Sequence, residues 1–208
     1  VKKMSTPAKK YDRFSKIYDL FESPMEMRAF SKYRKKALSL AKGKVLEIGI
    51  GTGKNLPYYP EGVEVIGIDF SRGMLEKAEK RKKELKLDNV KLLHMDAQNM
   101  EFDDNTFDTV VSTFVFCTVL DPIKGLKEVY RVLKPGGTAI FLEHMKSNSR
   151  LLNIPLYLME PFIKTLLGTS MLRETQKNID HAGFKIEKVE NLFFDIVRLI
   201  IATKPADK

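Results

Sequence analysis

The residues best suited to chemistry begin with one glycine-rich run, Glu47-Ile48-Gly49-Ile50-Gly51-Thr52-Gly53. Glycine has no Cβ, so such a backbone lets a ligand approach closely, and a helix opening behind it offers unpaired N–H groups. A dinucleotide fingerprint would need glycine at position 54. Lys54 stands there, and the third glycine comes one residue early. Taken alone, the run reads equally well as a plain tight turn. Asp69 follows 16 residues after Gly53, at the end of the next expected strand, where an acid can accept both hydroxyls of a ribose. Asp96, within Met95-Asp96-Ala97, and Phe107-Asp108 leading to Ser112-Thr113 occupy matching places in the next two segments. A single Asp at a strand end is usually a turn or cap residue. Four polar features in register on four successive strands describe a site, and the acids Glu47 and Asp69 argue against a nucleotide phosphate as its ligand.

Those residues need a sheet to align them. Lys44 to Ile48 reads as a short buried strand, Val63 to Ile68 as a second, Val90 to His94 as a third and Phe107 to Ser112 as a fourth. Helices are expected from Met25 to Ala41 with Gly43 at the C-cap position, from Gly73 to Leu87 behind the cap Ser71, and from Pro122 to about Leu133. Lys134-Pro135-Gly136-Gly137 turns into a strand from Thr138 to Leu142, and a helix from Arg173 to His181 stops at Gly183. Strands Phe184 to Glu190 and Phe193 to Ala202 have too short a connection to be parallel. The expectation is an α/β fold: a Rossmann-like, doubly wound, mostly parallel seven-stranded sheet with an antiparallel C-terminal hairpin.

The charge divides the chain. Residues 1–42 hold 12 Lys/Arg against 4 Asp/Glu, whereas residues 43–208 hold 24 against 23. The expected organisation is a basic, aromatic helical lid over 1–42 and a ligand-binding domain over 43–208. A cationic segment suits an anionic surface, lipid or nucleic acid, and it suits a solubilising tail as well. Its aromatic residues Phe14, Tyr18 and Phe21 share a helical face with Ile17, which could pack on the domain as a lid or lie in a membrane interface. One cysteine excludes a disulfide framework and a cysteine-based zinc site, and points to a reducing, cytoplasmic compartment. No secretory signal is visible. The greasiest stretch, Leu151 to Leu167, carries Pro155, Glu160, Pro161 and Lys164 and is too broken to span a bilayer, though it could touch one. It reads equally as a helix capping the sheet. No metal ligand set is evident.

The glycine loop, the acidic strand end, the Asp96-Ala97 pair and the Leu133-Lys134-Pro135-Gly136-Gly137-Thr138 turn together resemble the class I S-adenosylmethionine-dependent methyltransferases, over nearly the whole chain. The resemblance implies that S-adenosyl-L-methionine is the cofactor. It further implies that Glu47, Gly49, Gly51, Thr52 and Gly53 hold its methionine part and that Asp69 takes the ribose, with Phe70 and Met74 beside it. Asp96 and Ala97 would take the adenine, and Thr113 and Phe114 would line the floor under the methyl group. The cofactor is a sulfonium cation without phosphate, so acids around the loop are in keeping with it.

Finer matches bear on the acceptor. Tyr11-Asp12-x-Phe14-x-x-x-Tyr18-Asp19 looks like the N-terminal lid of methyltransferases that act on quinone and phospholipid precursors. The stretch from Ser112 to Pro122, Phe141-Leu142-Glu143-His144 and Arg173-Glu174-Thr175 resemble small soluble phosphatidylethanolamine N-methyltransferases and related membrane-associated thiol methyltransferases. Quinone C-methyltransferases fit less well, since Leu20-Phe21 follows Asp19 and the chain has no Trp. The resemblance implies a lipid or lipophilic small-molecule acceptor, with the amine of a phosphatidylethanolamine-type headgroup favoured. An anionic membrane surface would meet residues 1–42 and 151–167, peripherally and on the cytoplasmic side, and no nucleic-acid recognition module is expected. His144, ending the fifth strand, is the best-placed base, unless it makes only a structural hydrogen bond, with Glu143 as runner-up. Tyr11 and Tyr18 would close over the methyl group or serve as packing.

Overall fold

The computed structural model describes residues 24–167, 170 and 172–206. Within them the chain runs α1 (Pro24–Leu38), β1 (Lys44–Ile48), a 3-10 turn (Leu56–Tyr58), β2 (Glu64–Asp69), α2 (Arg72–Glu84), β3 (Val90–His94) and β4 (Phe107–Thr113). It continues through α3 (Pro122–Val132), β5 (Leu133–His144), α4 (Arg150–Leu167), α5 (Thr175–His181), β6 (Lys185–Phe193) and β7 (Val197–Thr203).

The strands form one sheet in the order β3-β2-β1-β4-β5-β7-β6. Pairing is parallel from β3 through β5, and β7 is antiparallel to both β5 and β6. Strand side chains alternate between faces, and successive residues of β1 enter different cores. Val45 packs with Ala37 and Leu38 of α1 and Leu75 of α2. Leu46 packs with Leu126 and Val129 of α3 and Ile179 of α5. Helices therefore cover both faces, which is why β1 is buried at every residue after Lys44. The expected mostly parallel, doubly wound sheet with its C-terminal hairpin is present.

Several boundaries differ from the sequence reading, each for a local reason. Helix α2 stops at Glu84 because Lys86 turns to φ 52° and the Leu87 N–H donates back to the Lys82 carbonyl at 3.1 Å, a left-handed helix stop. Helix α1 ends at Leu38, where the chain tightens into turn bonds such as Ala41 N–H to the Leu38 carbonyl at 2.9 Å. Helix α5 begins at Thr175 rather than Arg173, whose carbonyl accepts from the Lys146 N–H at 3.1 Å and whose Nη2 donates to the Val119 carbonyl at 3.0 Å. The hairpin turns at Phe194 and Asp195, both left-handed. Asp195 is fixed there, accepting from Ser147 Oγ at 2.5 Å and from the Asn148 N–H at 2.8 Å. Strand β7 consequently starts at Val197, not at the apolar Phe193.

Phe141 of β5 lies in the α3/α5 core, 1% exposed, with edge-on partners Phe116 at 5.8 Å and Phe184 at 6.0 Å. Replacing a buried Phe by Ala loses its transfer free energy and leaves a cavity, typically about 3–5 kcal/mol. Phe141→Ala should lower denaturant stability by about that amount, and Phe141→Leu by clearly less. Equal losses in urea titrations would contradict this packing account.

Candidate active site

Open parallel sheets bind ligands beyond the carboxyl ends of their strands, where the strand order reverses. Here that point lies between β1 and β4, whose final pair is Ile48 with Ser112. The glycine loop, the polar knot and the floor are held at that edge.

The glycine run leaves β1 as a loop. Gly49 takes φ +62°, and a Cβ there would stand 2.6 Å from Val115 Cγ2, so both conformation and space demand glycine. At Gly51 a Cβ would meet only the Gly49 carbonyl oxygen, at 4.0 Å, so the loop presents bare backbone to open space. Asp69 pins this loop to β2: its Oδ2 accepts from the Gly51 N–H at 2.9 Å and its Oδ1 from the Ser71 N–H at 2.8 Å. Thr52 is buried, and its Oγ1 has no partner among the described residues.

A knot of polar side chains joins the two strand tips. Asn55 Nδ2 donates to Glu47 Oε1 at 2.7 Å and to Thr113 Oγ1 at 2.9 Å. Tyr59 Oη donates to Glu47 Oε2 at 2.8 Å. Arg34, reaching down from α1, donates through Nη1 to Asn55 Oδ1 at 2.8 Å and to Thr113 Oγ1 at 2.7 Å, with its guanidinium 5.1 Å from the Phe114 ring centre. Burial pushes the Glu47 carboxyl up to about 7, although Tyr59, Asn55 and Arg34 all pull it down. Burial and the neighbouring Glu47 raise the Tyr59 hydroxyl well above its ordinary value.

The floor is built by a second buried acid. Glu143 Oε1 accepts from Ser112 Oγ at 2.6 Å, and Oε2 accepts from the Val115 and Phe116 N–H groups at 2.9 and 3.2 Å. This clasp turns the chain after β4, with Phe114 at φ +60°. Burial raises Glu143 to about 7 against those hydrogen bonds. Both its oxygens are engaged in holding the floor, which leaves His144 as the side chain facing the edge. The His144 ring centre lies 4.5 Å from that of Phe114 and 6.0 Å from that of Phe30 on α1. Burial, and then the charge of Arg34, lower His144 to about 4, so its imidazole is neutral at physiological pH.

Of the residues singled out in the sequence, Glu47, Gly49, Gly51, Thr52, Gly53, Asp69, Thr113, Phe114 and His144 come together around β1, β2, β4 and β5. Phe70 follows directly, its carbonyl bonded to His94 Nε2 at 2.9 Å. Met74 is buried in the first turn of α2, where its N–H donates to the capping Ser71 hydroxyl at 3.2 Å. Asp96 sits apart on the β3–β4 connection, exposed, with Oδ1 accepting from the Gln98 N–H at 2.9 Å. Ala97 follows it, half-buried. Tyr11 and Tyr18 lie outside the described residues. The sequence reading missed Asn55, Tyr59 and Arg34. Asn55 and Tyr59 follow the glycine loop closely and were within reach of a spacing argument, whereas Arg34 is one cation among many on a basic helix.

Residues 46–141 match the methyltransferase domain family. The chain is 45% identical over 103 residues to a phosphatidylethanolamine N-methyltransferase of Cereibacter sphaeroides, covering 49% of this chain and 51% of that one. It is 40% identical over 141 residues to a demethylmenaquinone methyltransferase of a Geobacillus species, covering 64% and 60%. It thus spans only about half to three-fifths of these relatives. An S-adenosylmethionine-dependent methyltransferase of Thermotoga maritima shares the fold at 23% identity, with a TM-score of 0.72 over 94% of this chain and 99% of that one. Residues 46–141 are thus matched to a methyltransferase domain, and the sheet of this chain shares its fold with an S-adenosylmethionine-dependent methyltransferase.

Proposed function

We propose that this chain transfers a methyl group from S-adenosyl-L-methionine to a lipid or lipophilic acceptor, with the amine of a phosphatidylethanolamine-type headgroup as its substrate. The observation that carries the cofactor reading is the cradle at the tips of β1 and β4. A glycine backbone opens at Gly51, Thr52 holds a buried hydroxyl in reserve, and two acids, Glu47 and Asp69, flank the loop. That set fits a cationic, sugar-bearing, phosphate-free group. When bound, S-adenosylmethionine supplies an electrophilic methyl on a sulfonium.

In this reading Asp69, already oriented by two backbone N–H groups, accepts the ribose hydroxyls, with Phe70 and Met74 next to it in the chain. Glu47, Gly49, Gly51, Thr52 and Gly53 hold the amino-acid end, Asp96 and Ala97 receive the adenine, and Thr113 and Phe114 form the floor. In this reading His144, neutral at physiological pH, stands at this edge as the candidate base. Phe30 and Phe114 exclude water from the reacting atoms.

The lipid reading is supported by α4, which starts six residues after His144. Leu151, Ile154, Tyr157, Leu158, Met159 and Phe162 are all more than half exposed, whereas the residues it buries include Asn153 and Leu156. An apolar helix face beside the site, with a basic segment over residues 1–42, suits an anionic membrane surface. No helix among the described residues is long and apolar enough to cross a membrane. A second reading, a quinol acceptor, has its own support in the longer match to the demethylmenaquinone enzyme.

Incubation with methyl-labelled cofactor and anionic vesicles of total lipid should place label in a phospholipid headgroup, and Leu158→Asp should slow that labelling while leaving cofactor affinity intact. Label in the quinone fraction would favour the second reading, and no lipid labelling at all would refute both. Asp69→Ala should weaken binding of S-adenosylhomocysteine more than tenfold in calorimetry, and unchanged affinity would remove its ribose role. Because Glu47 sits near 7 even with the charge of Arg34 pulling it down, binding of a further cation should favour its ionised form and release a proton. Affinity for S-adenosylmethionine should therefore rise as pH increases from 5.5 to about 7 and level off above, with a flatter profile in Glu47→Gln. A profile that falls over this range would contradict the assignment.

A further inference from the structure

The acids that suit a sulfonium and a ribose do not suit the other end of the cofactor. Its amino-acid part is a zwitterion, and Glu47 and Asp69 would repel the carboxylate while attracting the ammonium. Something cationic is needed at the same edge of the sheet.

Arg34 meets that need by position. It comes from α1, outside the family-matched residues, yet its Nη1 is seated on Asn55 and Thr113, the two residues that tie the glycine loop to β4. The helix that delivers it is docked on three sides. Tyr33 Oη donates to the Leu192 carbonyl at 2.8 Å, Lys36 pairs with Glu190, and the Phe30 ring rests 5.2 Å from that of Phe114. The guanidinium is thus preoriented. Its charge acts on Glu47, Glu143 and His144 alike. The guanidinium centre lies 5.1 Å from the Phe114 ring centre, and the planar donor geometry of a guanidinium is the one that matches a carboxylate.

We infer that Arg34 is the residue that binds the carboxylate of the cofactor's methionine end, so that α1 completes the cofactor site. This rests on the cofactor reading above and adds a binding residue that lies beyond the domain match. It also gives the basic N-terminal segment a role inside the site, separate from any surface.

The test compares ligands that differ at the carboxylate, using the full chain and titration calorimetry. The ligands are S-adenosylhomocysteine, decarboxylated S-adenosylmethionine, which keeps an ammonium, and 5′-methylthioadenosine, which lacks the amino-acid end. A charge-assisted hydrogen bond corresponds to about 10- to 100-fold in affinity. Arg34→Ala should lose about that much for S-adenosylhomocysteine and less than about threefold for the other two. Arg34→Gln, which keeps a polar side chain without the charge, should show the same selective loss and guards against a variant that fails to fold. Arg34→Lys should recover part of the affinity. Equal weakening of all three ligands, or no loss for S-adenosylhomocysteine, would overturn the assignment. Failure of the unaltered chain to bind either S-adenosylhomocysteine or methylthioadenosine would instead bring down the cofactor reading, and this inference with it.

Discussion

A carboxylate beneath the floor of the site holds its geometry together. Glu143 ends the buried run of β5, and its two oxygens gather the Ser112 hydroxyl and the N–H groups of Val115 and Phe116. Those N–H groups belong to a turn that has left the sheet, so no neighbouring strand satisfies them, and leaving them unpaired in the interior would cost about 1–3 kcal/mol each. With Glu143 in place, the chain after β4 is forced through the left-handed Phe114 and back under the glycine loop. Val115 then touches the space that a side chain at Gly49 would need. The floor and the loop are therefore mutually fixed, and Glu143 is a positioning residue rather than a base.

The electrostatics at this edge are balanced rather than neutral. Burial raises Glu47 and Glu143 to about 7 and lowers His144 to about 4. Each group is pressed toward its uncharged form, and Arg34 works with that pressure on His144 but against it on the two acids. The raised acids bind protons more tightly in the folded chain, so their contribution to stability is present below the unfolded pKa of 4.5 and falls away as pH rises to about 7. His144 works in the opposite sense. It favours folding above 6.5, and that contribution is lost as pH falls toward 4. A site near neutrality that holds acids ready to ionise is suited to receiving a cation, because the ligand's own charge completes the set.

Much of this was legible in the sequence. The alternation of strands and helices and the short final connection made the topology legible, because burial on both faces leaves unbroken apolar strands that period and punctuation reveal; the Lys134–Gly137 segment, expected as a turn before the strand, lies inside β5. Asp69 and the glycine loop were legible because strand ends are where a parallel sheet collects polar side chains. What was not legible depended on distance in sequence. Arg34 meets Thr113 across 79 positions and Glu143 meets Val115 across 28, and nothing in the local pattern around Arg34 sets it apart from its basic neighbours. The hairpin turn was misread by apolarity: Phe193 and Phe194 read as the start of the last strand, but Phe193 ends β6 and the fixed Asp195 makes Phe194 part of the turn, with both rings more than half exposed.

Helix α4 shows the same separation of pattern from placement. An amphipathic helix normally turns its apolar stripe to the core. Here Asn153 faces inward, its side chain accepting from the Ser147 N–H at 3.0 Å and donating to the Ser147 carbonyl at 2.8 Å, while Leu151, Leu158 and Phe162 face out at 78%, 71% and 77% exposure. The polar residue fastens the helix to the end of β5, so the attachment does not depend on burying the apolar side chains. Fully withdrawing each of these large side chains from water elsewhere would be worth about 1.5–3 kcal/mol. A helix fastened by its polar seam after the strand that carries His144 keeps its greasy face exposed, and the acyl-chain acceptor proposed above would supply an apolar partner and the reacting group in one molecule.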